Sequence, residues 1–233
     1  MNYENYTFRT SPIISTENVD EWLNAKFFSN VIKNHLNITP DDYEIISIET
    51  KPATKPGENF MSFLFLSKLE ILINGADKTT LNYIVKCMIK RNVYNEGLTS
   101  AYNAFPKEKK NYNEILPAFE KLYEDVGIDV HFGPKLYYST EDPTDIIVLE
   151  LLEDYQMRPK IEGLDVEHVK RSLKWLAQFH AASMKYYELN GPYGEDYKDG
   201  IFAESVEKLY QPFYDSYFDH YIEALKKLKN GDR

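Results

Sequence analysis

The chain has 233 residues, 43% of them hydrophobic and 15% aromatic, which is enough apolar material for one large domain or two modest lobes and excludes a disordered polypeptide. Lys and Arg number 27 against 37 Asp and Glu, a formal net charge of −10, which argues against nucleic acid or an anionic membrane as the main partner but leaves room for a local basic site. The single cysteine, Cys87, forms no internal disulfide, the opening MNYENYTFRTSPIIS lacks a secretory pattern, and no run of about 18 apolar residues occurs, so a cytoplasmic location without a membrane span is expected.

In chain order, residues 19–36 place Trp22, Phe27, Val31 and Ile32 near helical spacing, with Asp20 or Asn18 available as the cap. From Tyr43 to Lys90 three runs, YEIISIET, NFMSFLFLSKLEILI and TTLNYIVKCMI, are rich in β-branched and aromatic residues and read as strands. Asn74-Gly75 lies between the second and third, and both residues tolerate positive φ, so these two strands are expected to be antiparallel neighbours joined by a tight turn. Residues 104–126 read as a helix with Phe105, Tyr112, Ile115 and Leu116 on its apolar side, and Pro117 is expected to kink or break it. KLYYS and DIIVLELL follow as two short strands. From Asp165 the pattern is helical, with Val169, Leu173, Leu176 and His180 on one face, and residues 202–229 repeat rings and leucines at three- and four-residue steps. Strands first and helices last predict an α+β lobe, residues 1–152, followed by a helical portion, 153–233, with the boundary in the polar stretch Glu153–Gly163.

Several side chains in the strand-rich half have chemical potential. The Gly57-Glu58-Asn59-Phe60-Met61-Ser62 segment is either an ordinary turn or one whose backbone N–H groups face an anion. Lys86 alternates with Ile84 and Met88 on one face of its strand, opposite the face of Leu81, Tyr83, Val85 and Cys87. A lysine among apolar neighbours on a central strand is costly unless paired, whereas on an edge strand it extends to solvent. Glu108 in the next helix is a candidate partner, with Glu114 and Glu120 as rivals and a solvated helix face as the alternative. His180, on an apolar helix face, reads as a hydrogen-bonded core histidine rather than a catalytic base, and His35, His131, His168 and His220 form no metal-binding spacing.

Taken together, Gly57-Glu58-Asn59-Phe60-x-Ser62, Ile84-Val85-Lys86, Phe105-x-x-Glu108-x-x-x-Tyr112 with Ile115-Leu116-Pro117, Val148-Leu149-Glu150 and Leu176-Ala177-x-Phe179-His180-Ala181-x-Ser183 resemble, in order and interval, the ecdysteroid-kinase-like (CHK-kinase-like) family, relatives of choline kinases and aminoglycoside phosphotransferases. The resemblance runs from about Trp22 to the C-terminus and implies a protein-kinase-like N-lobe, an antiparallel sheet with one main helix, plus the first helices of a helical C-lobe. It implies ATP and Mg as cofactors and a small hydroxylated acceptor, steroid-like or choline-like. It makes Gly57, Glu58, Asn59 and Ser62 the phosphate-covering turn, Lys86 the phosphate-binding lysine, Glu108 its ion-pair partner, Ile84 part of the adenine pocket, and Glu150, Leu151 and Leu152 the hinge. The family usually has an acidic residue where this chain has Leu151.

The family's His-Gly-Asp catalytic loop, its following Asn and a metal-binding Asp are expected beyond the last helical region, and Asn230-Gly231-Asp232-Arg233 lacks the histidine. The expectation is therefore that these 233 residues contain no catalytic or metal-binding residue and turn over no substrate by themselves. Open aromatic helix faces and self-association through them are also expected. The competing expectation is a noncatalytic module that binds a ligand or a protein partner.

Overall fold

The computed structural model describes residues 19–54, 62–88, 104–142, 144–153, 162–198 and 204–229. The expected phosphate-covering turn, including Gly57, Glu58 and Asn59, lies outside them. Contacts divide the chain into two compact units, one drawn from Met1–Arg91 and Glu108–Pro192, the other from Asn92–Lys107 and Tyr193–Arg233.

The helix expected over 19–36 is divided into α1 (Val19–Trp22) and α2 (Ala25–Leu36). The division falls where Asn24 takes an extended conformation and its side chain accepts a hydrogen bond from the Phe27 N–H, so the cap that starts the longer helix is Asn24, not Asn18 or Asp20. Asn37, with φ 54°, ends the helix in the left-handed region.

Three long strands follow: β1 (Tyr43–Pro52), β2 (Ser62–Ile73) and β3 (Asp77–Met88). The turn between β2 and β3 contains Asn74 and Gly75 at φ 50° and 69°, as their preference for positive φ predicts. β4 (Leu136–Thr140) and β5 (Ile146–Glu150) complete an antiparallel sheet of order β1-β2-β3-β5-β4. A register shift between Ile45 and Ser47 leaves Ile46 as the extra residue of a bulge in β1, and its side chain is exposed.

Strand alternation gives the sheet two unlike faces. One carries Phe65, Leu69, Tyr83, Val85 and Val148, which are fully buried against Phe28, Val31 and Ile32 of α2. Each such side chain contributes about 2 kcal/mol of burial. Cys87 lies in the same layer, and burial pushes its thiol up to about 12, so it is a core residue and not a nucleophile. The other face carries Leu64, Leu66, Ile84, Lys86 and Met88, all half-buried.

Helix α3 (Ala104–Lys110) continues through a π-turn, Asn111–Ile115, into α4 (Leu116–Glu124). Of the two expectations for Pro117, a kink or a break, the break does not occur, because the helix continues through it. The helix widens by one residue just ahead of it, with the Leu116 N–H donating to Asn111 O, an i to i−5 bond.

In α5 (Val166–Asn190), capped by Asp165, the expected stripe proves to be the outer one: Val169, Leu173, Leu176 and His180 are exposed. The packed side is aromatic instead. Phe179 sits edge-on to Phe119 and Phe132 at 5.3 and 5.7 Å, Tyr186 meets Phe119, and Ala182 is buried. His180 is about 100° round the helix from Phe179, which accounts for its exposure. In the second unit, α6 (Glu204–Lys229) has exposed Tyr217, Phe218 and Tyr221. Among the described residues no helix is long and apolar enough to cross a membrane.

A polar contact links α2 to the sheet. His35 Nδ1 and the Tyr83 hydroxyl are 2.9 Å apart, and the Tyr137 ring stacks on the imidazole with centroids 3.9 Å apart. Burial holds the His35 pKa below its ordinary 6.5, the positive Lys135 adds to this, and Glu150 opposes it. The unfolded chain then binds the proton more readily than the folded one, so stability held above about pH 6.5 is lost as pH falls through the lowered pKa. Urea midpoints at about pH 7.5 and 5.5 are expected to differ more for the natural chain than for His35→Gln.

Candidate functional site

The half-buried sheet face and the helix α3–α4 meet at two charges. Lys86 lies on β3, the middle strand of the five, where it is paired opposite Leu64 of β2 and Ile147 of β5. Its strand has no open edge along which the side chain could extend to solvent, and its Nζ lies 2.7 and 2.6 Å from the two carboxylate oxygens of Glu108. The two side chains are 23% and 25% exposed, so the pair is screened from water without being sealed from it. A charge-assisted contact to both oxygens fixes the ammonium in direction as well as in charge.

The rivals are occupied elsewhere. Glu114 is exposed on the π-turn, and Glu120 accepts from the Phe132 N–H at 2.8 Å, fastening the loop before β4 to α4. Ile84 lies on the Lys86 face two residues away, opposite Leu66 and Leu149, so the pair is bordered by aliphatic side chains. Ser62 opens β2 opposite Met88 and is buried.

Glu150 closes β5 opposite Tyr83, so its side chain is on the α2 face and points away from Lys86. Its carboxylate accepts from the Lys135 N–H at 3.1 Å, and its own N–H donates to Lys135 O at 2.9 Å. Leu151 and Leu152 continue half-buried beyond the strand, and Asn82 of β3 donates to the Glu153 carboxylate at 3.0 Å, tying that segment back to the sheet.

Two residues whose role at this site sequence reasoning did not assign complete its back wall. Tyr112, one turn after Glu108, has its hydroxyl pKa raised by burial and then by the Glu108 carboxylate. Gly133 lies so close to the helix that a Cβ there would stand 3.0 Å from Leu116 Cδ1 and 3.4 Å from Tyr112 Cε1. Together with Glu108, Ile115, Phe132 and Phe179 they line a cavity of about 300 Å³. A Phe-Gly-Pro run, residues 132–134, was the available signal for a close backbone approach.

A five-stranded antiparallel sheet whose central lysine is held by a glutamate from a following helix is a kinase-like N-lobe. The chain belongs to the ecdysteroid kinase-like family, whose profile it matches over residues 56–232. That membership makes it kinase-like in its chemistry, and kinases bind ATP with magnesium. No curated protein and no solved structure gives a significant match.

The donor set fits a phosphate: a lysine ammonium aimed by a carboxylate, bordered by aliphatic side chains that lower the local dielectric. For magnesium the fit is different, since among the described residues no group of three or more His, Cys, Asp or Glu side chains is placed to hold a metal ion. A double-mutant cycle of Lys86→Met and Glu108→Gln in urea unfolding is expected to give a coupling energy of about 1 kcal/mol, more than an exposed ion pair and less than a sealed one.

Proposed function

We propose that Lys86 and Glu108 form the phosphate-positioning pair of a nucleotide site, in an ATP-dependent kinase-like protein that phosphorylates a small alcohol. The observation that carries this reading is the contact of one ammonium with both oxygens of one carboxylate, at 2.6 and 2.7 Å, on the half-buried face of the central strand. In phosphoryl transfer the protein supplies mostly position and charge. Lys86 would neutralise phosphate oxygens, and Glu108 would keep the ammonium from swinging into solvent. Ile84, with Leu66 and Leu149 beside it, would give the adenine ring an apolar wall. The backbone of Glu150, Leu151 and Leu152 would meet its polar edge, a role for which the loss of an acidic side chain at Leu151 is immaterial. The turn that includes Gly57, Glu58 and Asn59 would cover the phosphates, with Ser62 at its base.

In this reading residues 1–152 form the nucleotide-holding lobe and residues 153–233 the start of the helical portion. The proton acceptor and the metal ligands of the transfer are assigned to none of the described residues. The acceptor is a small hydroxylated molecule, steroid-like or choline-like.

The test is thermal unfolding with and without millimolar Mg-ATP. A ligand at about 100 times its Kd stabilises the folded state by about 2.7 kcal/mol, which for a chain of this size raises the unfolding temperature by several degrees. The natural chain is expected to show that rise and Lys86→Ala to lose it. An equal rise in both, or none in the natural chain, rejects the assignment.

A further inference from the structure

The π-turn begins three residues after Glu108 and ends two residues before Pro117, and its position decides which side chain faces Lys86. Proline has no N–H, and in an α-helix its ring would collide with the carbonyl four residues back, that of Asn113. The widened turn, closed by Leu116 N–H donating to Asn111 O, lets the helix pass Pro117 without breaking. A π-turn inserts one extra residue into the helical count, and one residue is worth about 100° of rotation. Ile115 at the end of the turn and Phe119 beyond it are both buried and Leu116 is in contact range of Gly133, whereas the segment before the turn has one buried side chain, Phe105. The rotation therefore falls on the segment before it. Were residues 111–117 plainly α-helical on the same anchors, residue 109 would occupy the place now held by residue 108. Residue 109 is a lysine, now 3.6 Å from Glu141 on the outside of the helix, and it would bring like charge to Lys86.

We propose that Pro117, through the π-turn it imposes on Asn111–Ile115, is a positioning residue of the Lys86–Glu108 pair, selecting Glu108 over Lys109 as the side chain presented to Lys86. The functional consequence rests on the nucleotide reading above, whereas the selection itself does not. Pro117 and Asn113 are both exposed, so neither is needed to fill a core, and the helix tolerates changes at both without opening a cavity.

The experiment uses the whole chain and two readouts. In the Pro117→Ala background, where an α-helical amide is restored, the Lys86–Glu108 coupling measured by the double-mutant cycle is expected to vanish, and the apparent affinity for Mg-ATP to fall by about tenfold or more. Adding Lys109→Glu to Pro117→Ala restores the ATP response, because a glutamate now occupies the place facing Lys86. In the Pro117 chain the same Lys109→Glu change brings no gain. Deleting Asn113 together with Pro117→Ala removes the extra residue and returns Glu108 to its place, so this variant is expected to keep the coupling. A purely structural proline would give a loss that neither Lys109→Glu nor the deletion repairs. Unchanged coupling in Pro117→Ala overturns the proposal. Should the natural chain ignore Mg-ATP, the nucleotide reading fails alone, and the coupling measurement still decides the role of Pro117.

Discussion

A lysine on the middle strand of a sheet must either be neutralised or pull its strand toward solvent, and β3 has no freedom to move because it is bonded along both edges. The helix must therefore bring the carboxylate. That single requirement orders much of the first unit: the helix lies on the Lys86 face, its Glu108 meets the ammonium with both oxygens, and Gly133 lacks a side chain where the helix comes closest. The ion pair adds little to stability by itself, since what the charges gain from each other is largely spent on leaving water. Its value is directional, because contact with both carboxylate oxygens fixes where the ammonium sits.

The unlike faces of the sheet follow from the same division of labour. The α2 face is dry and ring-rich, and the His35 and Tyr83 contact matches two polar groups within it, while the buried Tyr43 hydroxyl and Trp22 indole N–H have no partner among the described residues. Such a layer makes β3 rigid from behind. The opposite face is left half-covered, with aliphatic side chains around one charged pair. Rigidity on one side and partial exposure on the other are what a strand needs if it is to present a fixed cation to a ligand.

Those features that depend on short-range rules were legible in the sequence. The alternation around Lys86 gave its face, Asn74-Gly75 gave the hairpin, and the order of strands and helices gave the α+β class. Competing short-range signals were harder. Two apolar stripes run along α5, and the aromatic one, Phe179, Ala182 and Tyr186, won the packed side because rings bury more area than Val169, Leu173 and Leu176. Asn24 outcompeted the residues nearer the chain start as a cap, at the cost of dividing the first helix. Pro117 signalled a disruption but not its kind, since a break, a kink and a π-turn all relieve the same collision, and the burial of Ile115 and Phe119 on either side of it favours the last.

The sheet and the helix also contribute unequally to the geometry of the pair. Continuous pairing with β2 from Ser62 to Ile73 and with β5 from Ile146 to Glu150 pins the Cα of Lys86, so a change there would require breaking ladder hydrogen bonds. The helix is held by side-chain contacts, the packing of Ile115 and Phe119 and the Glu120 bond to the Phe132 N–H, and these resist rotation less than a ladder of backbone hydrogen bonds resists slippage. The adjustable coordinate of the pair is therefore the azimuth of Glu108, and a phosphate competing for the same ammonium would act against the helix, not the sheet. A π-turn placed between the carboxylate and its anchor sits on that coordinate, where a single residue's worth of rotation separates an attractive contact from a repulsive one.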